Sequence, residues 1–505
     1  MVRLLNVYTI SSFVALGGAL FGVDVSSMSG VIGTEQYQNY YGNPLGTRQC
    51  IITSGMAAGS LAGALFSSYL GDRFSRKSAI QMGASLWCIG ATLQAASTGI
   101  PMLIVGRVIS GLYIGITSSL VPIYQSEISP RKIRGRLVSL QQFAITLGIM
   151  IQYFIEYGCS FINSTASFRV PWAVQTVPAL LLFIGLFWLP RSPRWLASKD
   201  RWDETLLVLA FLRTPNGDVN EPLVLAEYKE IEDQIRFERE EASNSYVELF
   251  SRKIRKRVVL SMAIQMWNQL TGMNVMTYYI FYILKSAGIA NSMLASCIQY
   301  IINTLMTIPS IIWADKWGRR PALLIGAIVM SLWLFLIGGL LQAFGTPNPN
   351  QHQAYTWIVV DHPNATRAIL AFSYLAVATF AISWGPVSWM YPPEVVPLRV
   401  RAKSVALAIA TGWATNFALD GGFFVFGSFN VMAFLHVLVS APETKRRTLE
   451  ELDEIFEHGE PLWKSIWAHK ESTKLDKLAR DIELGVIKFE RGRAAQSTGT
   501  DIPRS

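Results

Sequence analysis

Four residues recur at helical spacing on one side of an apolar stretch in the second half of the chain. Gln265, Asn268, Gln269 and Gly272 lie at positions i, i+3, i+4 and i+7 and therefore share one helix face. Residues 258–284 contain no charged side chain, and uncharged amides in such a stretch are costly unless they face a partner or a wet cavity. Because an amide carries both hydrogen-bond donors and acceptors, this face is suited to recognise hydroxyl groups.

The composition is that of a membrane protein. Of the 505 residues, 51% are hydrophobic and 16% are charged, whereas soluble domains carry about 25% charged residues. Apolar runs of membrane length recur along the chain. We expect the net charge of +9 to lie in cytoplasmic loops rather than to bind nucleic acid, since no basic patch lies on a soluble domain.

The sequence lacks the signatures of enzymes and of metal sites. The four cysteines are scattered and form no CxxC or Cys/His cluster, so we expect no metal and no cofactor. There is no GxxxxGK[ST] motif for phosphate and no grouping of Ser, His and Asp. We therefore expect neither an ATP-driven pump nor an enzyme.

Twelve apolar segments fall into two groups of six, separated by a polar insert. We predict an all-α membrane protein made of a first half, a cytoplasmic helical linker, a second half and a cytoplasmic tail, at residues 1–189, 190–257, 258–441 and 442–505. Amphipathic patterns predict linker helices at 202–213 and 223–240.

The charge pattern predicts an orientation. The basic loops all fall on one side if each apolar segment crosses the membrane once, which makes that side cytoplasmic. Two Asn-x-Ser/Thr triplets, at Asn163 and Asn364, fall in loops on the opposite side, where glycosylation occurs.

The two halves share short motifs in the same order. The loop at 71–77, GDRFSRK, recurs as ADKWGRR at 314–320, in each case after the second segment of its half. The motif that begins at Glu127 recurs at Glu394, in each case after the fourth segment. Two halves in the same orientation predict a parallel repeat with a binding site at the interface.

With these motifs the sequence resembles the sugar porter family of the major facilitator superfamily, most of all the fungal monosaccharide transporters. The resemblance runs from Gly22 to Leu452 and includes, in order, DRFSRK at 72–77, Gly106-Arg107, PRSPRWL at 190–196, QLTGMN at 269–274 and PETK at 442–445. It implies a twelve-span major facilitator fold in the plasma membrane. It also implies that a monosaccharide such as glucose is transported by alternating access.

The resemblance further implies where the sugar binds. The implied contacts come from both halves: Gln142, Gln269, Asn274, Asn303, Trp389 and Asn416. Amides would pair with the hydroxyls of a hexose, and an indole would cover its apolar ring face. Gln265 and Asn268 share the face of Gln269 and are candidates either for sugar contact or for hydrogen bonds between helices.

Asp24 and Arg107 are the clearest opposite charges inside the spans of the first half. Each is costly in a membrane unless it is paired or hydrated, so we expect them to pair. Proton-coupled relatives carry an acid and an arginine at the matching positions, which implies symport of sugar with protons. A static ion pair between the first and fourth spans is the alternative.

A network of charges is expected on the cytoplasmic side. By resemblance it holds the inner side closed through Arg73, Glu127, Arg134, Arg319, Glu394 and Arg401. Surface salt bridges contribute only about 0–1 kcal/mol each, but a network that exists in one state shifts the equilibrium between states. The same charges also satisfy the ordinary excess of basic residues inside.

Helix-weakening residues are expected to interrupt two spans. Thr271-Gly272 lies in the seventh span, and Gly385-Pro386 and Pro392-Pro393 lie in the tenth. Such breaks suit gating helices, although Gly and Pro are common in membrane helices generally.

The chain departs from the family pattern at several positions. Arg191 replaces an acid beside the inner network, and Ala381 and Gly412 replace polar residues near the sugar. The last two spans, at 404–419 and 423–440, are shortened. We expect this shortening to impair folding or gating.

The sequence thus predicts a monomeric hexose:proton symporter whose partners are the sugar, protons and the lipid bilayer. An uncoupled facilitative transporter and a non-transporting sugar sensor are the alternatives. Uptake of labelled sugars with and without a protonophore separates the three.

Overall fold

The structure is a computed structural model that describes residues 6–32, 34–44, 47–130, 133–214, 216–241, 249–251, 254–278, 284, 292–347, 357–359, 362–418, 422–444 and 456. Within these ranges, helices occupy all twelve predicted spans. The chain divides into two compact units, one built from 1–192 and 243–468 and the other from 193–242 and 469–505. Both groups of six spans belong to the first unit.

Six spans form the first half. In chain order they are Val7–Val14 continued by Leu16–Ser29, Thr47–Phe74, Arg76–Ala95, Ile100–Ile128, Arg134–Cys159, and Ala166–Val174 continued by Thr176–Gly185. A short helix, Glu35–Tyr40, lies between the first and second spans, and a 3-10 turn, Leu186–Trp188, ends the sixth.

Six more spans form the second half. They are Arg255–Leu270 continued by Met273–Tyr278, Ser292–Trp317, Arg319–Phe344, Pro363–Ile382 continued by Trp384–Val395, Leu398–Ala418, and Phe423–Ser440. After the ninth span, strands Gly345–Pro347 and Trp357–Val359 pair antiparallel, where the sequence indicates only a polar loop.

Nine helices in the described part of the chain are long and apolar enough to cross a membrane. The third, seventh and eleventh spans do not reach this standard. The seventh is divided at Thr271-Gly272, and the eleventh carries Arg401 and Lys403 in its first turns. Large apolar side chains are exposed on the outer faces of the spans, such as Phe66 and Phe187, each at 63%, which suits contact with lipid.

The second and fourth spans cross at close range because glycines face each other. Gly59 and Gly63 lie on one helix and Gly111 and Gly115 on the other, each pair at the spacing that lets membrane helices approach closely. A Cβ atom at Gly63 would lie 2.1 Å from the carbonyl oxygen of Leu112. Larger side chains would therefore push the fourth span away, together with the arginine that it carries.

The second unit contains a small helical domain within the insert. Its helices are Pro193–Ser198, Trp202–Arg213 and Pro222–Glu241, and the last two confirm the amphipathic pattern of the sequence. Buried apolar side chains such as Leu209 and Val224 form its core. The sequence does not indicate the first, six-residue helix.

The tenth span breaks once. It consists of Pro363–Ile382 and Trp384–Val395, which meet at Ser383. Pro386 therefore lies in the first turn of the second helix, where its missing N–H costs little. Pro392-Pro393 lie inside that helix, so the predicted interruption there is wrong.

The shortened end of the chain keeps two helices. The eleventh begins at Leu398, six residues before the predicted 404, but Arg401 and Lys403 leave its apolar part short. The twelfth has 18 residues, which is about 27 Å of helix against a hydrocarbon core of about 30 Å. Residues 419–421, which join them, lie outside the described residues.

The break in the seventh span lies where the sequence predicts it. Thr271 ends the first helix, and Gly272 has a φ of +85°, a conformation that costs an L-residue roughly 1–2 kcal/mol. A Cβ atom at Gly272 would also lie 3.0 Å from Cβ of Phe426. Glycine is therefore required here by both backbone conformation and packing.

We expect Gly272→Ala to lower the thermal stability of the purified protein, because alanine would be strained and crowded at this break. Gly339→Ala in the ninth span is the matched control. Nothing lies within 4 Å of a Cβ atom there, and alanine is more stable than glycine in a helix by about 0.5–1 kcal/mol. Equal melting temperatures for the two variants would contradict the requirement for glycine.

Candidate functional site

A cavity lies between the two halves. Amide side chains from both halves line it: Gln142, Asn268, Gln269, Asn274, Asn303 and Asn416. Trp389 lines it as well. The empty volume is about 590 Å³ including the mouth, within the range of roughly 300–1,000 Å³ that is usual for small-molecule sites. The structure thus brings together seven of the eight residues predicted to contact the ligand.

Several of these amides are held by one another. Oε1 of Gln269 accepts a hydrogen bond from Nδ2 of Asn416 at 3.1 Å and another from Nδ2 of Asn274. Oε1 of Gln142 accepts a hydrogen bond from the indole N–H of Trp389 at 2.8 Å. This last bond joins the fifth and tenth spans, so the cavity wall crosses the boundary between the halves.

Two amides on the cavity wall keep an unused acceptor. The Oδ1 atoms of Asn268 and Asn303 are buried and have no hydrogen-bond partner among the described residues. Buried polar atoms are nearly always satisfied. A ligand hydroxyl that donates to either oxygen would supply the missing hydrogen bond.

An aromatic wall faces these amides. The ring of Phe21 packs edge-on against Trp413 at 5.3 Å and against Trp389 at 6.2 Å between ring centroids, and Phe380 also lines the cavity. None of the lining residues in the described part of the chain is charged. The combination suits a small neutral molecule with several hydroxyls and one apolar face.

Gln265 is the predicted residue that does not reach the cavity. Its Nε2 donates to the backbone oxygen of Ser388 at 2.7 Å, and the side chain is buried. That oxygen would bond the N–H four residues later in a helix, but position 392 is proline and has none. Gln265 therefore satisfies a carbonyl that Pro392 leaves unpaired, and its role is to join the seventh and tenth spans.

The halves also meet at the fifth and eighth spans. The hydroxyl of Thr304 donates to the backbone oxygen of Thr146 at 3.0 Å, and the hydroxyls of Thr146 and Thr307 lie 3.3 Å apart. Tyr153 and Tyr300 pack ring to ring at 4.7 Å. These contacts lie beside the cavity and break when the halves separate along this line.

Asp24 and Arg107 lie inside the first half, as predicted. Nη1 of Arg107 is 3.8 Å from Oδ1 of Asp24 and 3.4 Å from the hydroxyl of Ser27, and both charged side chains are fully buried. Asp24 is on the same helix as Phe21 and Val25, which line the cavity. One helix therefore carries both the cavity wall and the buried carboxyl.

The end of the second half predicted to be cytoplasmic holds a compact ion pair. Nη2 and Nε of Arg319 donate to the two oxygens of Glu394 at 2.8 and 3.1 Å. Thr444 donates to the same carboxylate, and Glu443 accepts the backbone N–H groups of Arg319 and Arg320. Glu443 thus caps the ninth helix, where the helix dipole favours a negative charge.

The first half repeats this arrangement, but one residue differs in charge. Arg76 lies 3.5 Å from Glu127, and Ser192 donates to Glu127. The repeat register aligns these with Arg319, Glu394 and Thr444. Arg191 stands where the second half has the capping acid.

Arg73 lies apart from this cluster. It donates to the hydroxyl of Tyr69 at 2.6 Å and lies over the ring of Phe74, both on its own helix. The arginine that contacts Glu127 is Arg76, and the repeat itself contains the signal, since Arg76 rather than Arg73 aligns with Arg319.

The other two predicted network residues are buried or partly buried near helix starts. Arg134 begins the fifth-span helix. Arg401 lies in the first turns of the eleventh and is 4% exposed.

The protein has two similar halves of six helices, an uncharged polar cavity between them and ion pairs at one end. This arrangement is that of a membrane transporter for a small neutral solute. The model of the family described as "Sugar (and other) transporter" matches residues 10–456. The chain belongs to this family.

The names of individual relatives agree with this family assignment. The chain is 49% identical to the MFS glucose transporter mfs1 of Aspergillus flavus over 97% of this chain and 96% of the relative. It is 33% identical to the high glucose sensor RGT2 of Saccharomyces cerevisiae over 88% of this chain and 60% of the sensor.

Solved structures share the fold. The proton:xylose symporter XylE bound to 6-bromo-6-deoxy-D-glucose superposes with a TM-score of 0.76 at 25% identity, covering 89% of this chain and 99% of that chain. The inward-open conformation of XylE from E. coli, at 26% identity and the same coverage, reaches 0.66. The backbone is therefore closer to the ligand-bound than to the inward-open conformation.

These findings confirm the sequence-based interpretation of family, fold and class. The protein is a multi-pass plasma-membrane sugar transporter of the twelve-span major facilitator fold, and it is not an enzyme.

We expect substitutions at Arg319 and Glu394 to change stability non-additively, because the two residues form an ion pair. Removing one partner of a buried ion pair costs about 3–5 kcal/mol, because the other charge is left unpaired. We expect Arg319→Gln and Glu394→Gln each to lower the melting temperature, and the double variant to lose less than the sum of the two. Arg48→Gln, at an exposed arginine, serves as the control, and additive losses would show that the pair is not coupled.

Proposed function

We propose that the chain carries glucose into the cell together with protons by alternating access. The main support for this proposal is the position of the first span. It lines the cavity with Phe21 and Val25, and it holds Asp24 next to Arg107. A change in the charge of Asp24 thus acts on the helix that contacts the sugar. The glucose transporters among the relatives and the proton-coupled XylE support the choice of substrate and of coupling ion.

In this proposal the amides select the sugar by its hydroxyls. Asn268 and Asn303 accept hydroxyl protons, since their Oδ1 atoms are unused. Gln269 and Gln142 are held in place by Asn416 and Trp389, which orients their remaining groups before sugar arrives. The edge-on packing of Phe21 against Trp389 and Trp413 leaves apolar surface for the ring face of a hexose.

Coupling between proton and sugar transport would act through the Asp24–Arg107 pair in the first half. An ionised Asp24 holds Arg107 by charge, and a protonated Asp24 releases it. Once Asp24 no longer holds Arg107, the first span is free to move together with the part of the cavity wall that it forms. The ion pairs at the cytoplasmic end, Arg76–Glu127 and Arg319–Glu394, would hold the inner side closed until then.

An uncoupled facilitator remains the competing function, since a static Asp24–Arg107 pair would serve there equally well. The distance of 3.8 Å between the charged atoms is long for a hydrogen-bonded pair, which favours a labile contact. A sugar sensor would bind sugar and transmit a signal without flux. Labelled-glucose uptake with and without a protonophore, in cells that lack their own sugar transporters, tests all three.

Gln269 and Gln265 offer a matched pair of substitutions, because both are amides on one helix and only Gln269 lines the cavity. We expect Gln269→Ala to raise the half-saturation concentration for glucose about 5- to 150-fold, since losing a buried hydrogen-bonding partner costs about 1–3 kcal/mol.

Gln265→Ala should instead lower stability or maximal rate, because it leaves the Ser388 carbonyl unpaired. Saturation curves for both variants, normalised to the amount of protein in the membrane, check this. Similar shifts in half-saturation would show that cavity contact is not the relevant difference.

Asp24→Asn tests proton coupling. The amide cannot exchange a proton, so we expect accumulation of glucose against its gradient to be lost while exchange of internal for external glucose continues. Alkalinisation of the medium during uptake should disappear with accumulation. A variant that still alkalinises the medium like the wild type would exclude Asp24 as the coupling group.

A further inference from the structure

The cavity segment of the seventh span, Met273–Tyr278, follows the break at Gly272. It contributes Met273, Asn274 and Thr277 to the cavity wall. Because the helix is interrupted at Gly272, the part before the break does not fix the direction of this segment by itself. Contacts with neighbouring helices therefore decide where its side chains meet a ligand.

Two consecutive residues of the eighth span hold the backbone of the cavity segment. Nε2 of Gln299 donates to the backbone oxygen of Met276 at 3.0 Å, and the hydroxyl of Tyr300 donates to that of Thr277 at 2.8 Å. Both donor side chains are buried, so these bonds are shielded from water. Asn303, one turn further along the same helix, lines the cavity. The eighth span thus supports one part of the cavity wall and forms another.

Tyr300 also contacts the first half. Its ring packs against that of Tyr153 in the fifth span at 4.7 Å between centroids. Its hydroxyl lies 3.5 Å from Oγ of Ser29, near the limit of a hydrogen bond. Ser29 ends the first-span helix, which itself lies against the cavity segment. One side chain therefore contacts the cavity segment and two helices of the other half.

The contact of Tyr300 with Tyr153 is one of two layers in which the fifth and eighth spans meet. In the other layer Thr307 contacts Thr146, and Asn303 lies between Tyr300 and Thr307 along the eighth span. Tyr153 follows Thr146 by seven residues, or about 10 Å along the fifth-span helix. The layer that contains Tyr300 is the one nearer the side predicted to face outside.

We propose that Tyr300 is a positioning residue for sugar binding, which ties the cavity segment of the seventh span to the first half. The proposal rests on the binding of glucose in the cavity proposed above. While the halves are joined at Tyr153 and Ser29, Tyr300 is held in place and fixes the carbonyl of Thr277, and with it the side chains that face the sugar. When the halves separate on this side, the segment is held less tightly. Sugar contact and closure of the cavity thus favour each other.

Tyr300→Phe removes the hydroxyl and keeps the ring. We expect the half-saturation concentration for glucose to rise about 2- to 10-fold, which is the effect of one lost hydrogen bond. We also expect faster backbone deuterium exchange in residues 271–278 of the purified protein without sugar. Uptake curves normalised to the amount of protein in the membrane, and hydrogen–deuterium exchange followed by mass spectrometry, measure the two quantities. The positioning role is overturned if either stays at its wild-type value.

Tyr374→Phe is the matched control. The hydroxyl of Tyr374 donates to the backbone oxygen of Ala295, also at 2.8 Å and also on the eighth span. Both residues belong to the second half, and neither is among the residues that line the cavity. We expect a comparable loss of thermal stability with a wild-type half-saturation concentration. If Tyr374→Phe raises that concentration as much as Tyr300→Phe does, the effect comes from lost stability in general and the proposal fails.

Tyr153→Leu tests the link to the first half, because it removes the ring against which Tyr300 packs and leaves the second half unchanged. We expect faster exchange in residues 271–278 in this variant as well. Ser29→Ala is a smaller change that removes the other contact of Tyr300 with the first half, and we expect it to act in the same direction. Wild-type exchange in both variants would show that Tyr300 acts within the second half alone, which overturns the link between the halves.

Wild type is measured beside the variants. If wild type transports no glucose, the proposed function fails, and the exchange measurements, which need no sugar, still decide whether Tyr300 holds the cavity segment. If wild type transports glucose and Tyr300→Phe does so with the same half-saturation concentration, the proposed function stands and the positioning role of Tyr300 is overturned.

Discussion

Lipid offers no hydrogen-bond partner and no counter-charge, and this constraint explains most of the polar architecture of the protein. Many polar residues in the described spans are paired inside the protein, and several others lie on the cavity wall. Gln265 donates to the carbonyl that Pro392 leaves unpaired, whereas Asn268 and Asn303 lie on the cavity wall, each with a buried Oδ1 atom that has no hydrogen-bond partner among the described residues. A ligand hydroxyl that donates to either oxygen would supply the missing hydrogen bond.

The same constraint shapes the buried charges. Arg107 lies beside Asp24 and Ser27, both within the first half. The cavity itself has no charged lining residue in the described part of the chain. The cavity and the buried Asp24–Arg107 pair are therefore separated in space, and the first span links them because it contributes to both.

The internal repeat makes the corresponding ends of the two halves similar but not identical. Both have an arginine–glutamate pair joined by a hydroxyl from the motif that follows the sixth span of each half. In the second half Glu443 also caps the next helix, and in the first half Arg191 occupies that position. The helix of the third span, Arg76–Ala95, is instead capped by Ser75, whose hydroxyl accepts a hydrogen bond from the backbone N–H of Ser78. The second acid of the first half is instead Asp72, which accepts a hydrogen bond from Arg76 at 2.8 Å.

The sequence by itself determined the class of protein, the twelve helices and the repeat, because hydropathy, helical period and motif order are local properties of the chain. Most of the cavity amides followed from the resemblance to the sugar porter family. It left open whether Gln265 and Asn268, which share a helix face with Gln269, contact the sugar or neighbouring helices. It did not indicate that Trp413 and Phe21 form the aromatic wall, nor that Glu156 reaches Gly30, 126 residues away. Only the tertiary structure decided these, because they depend on which helices pack together and how each is rotated.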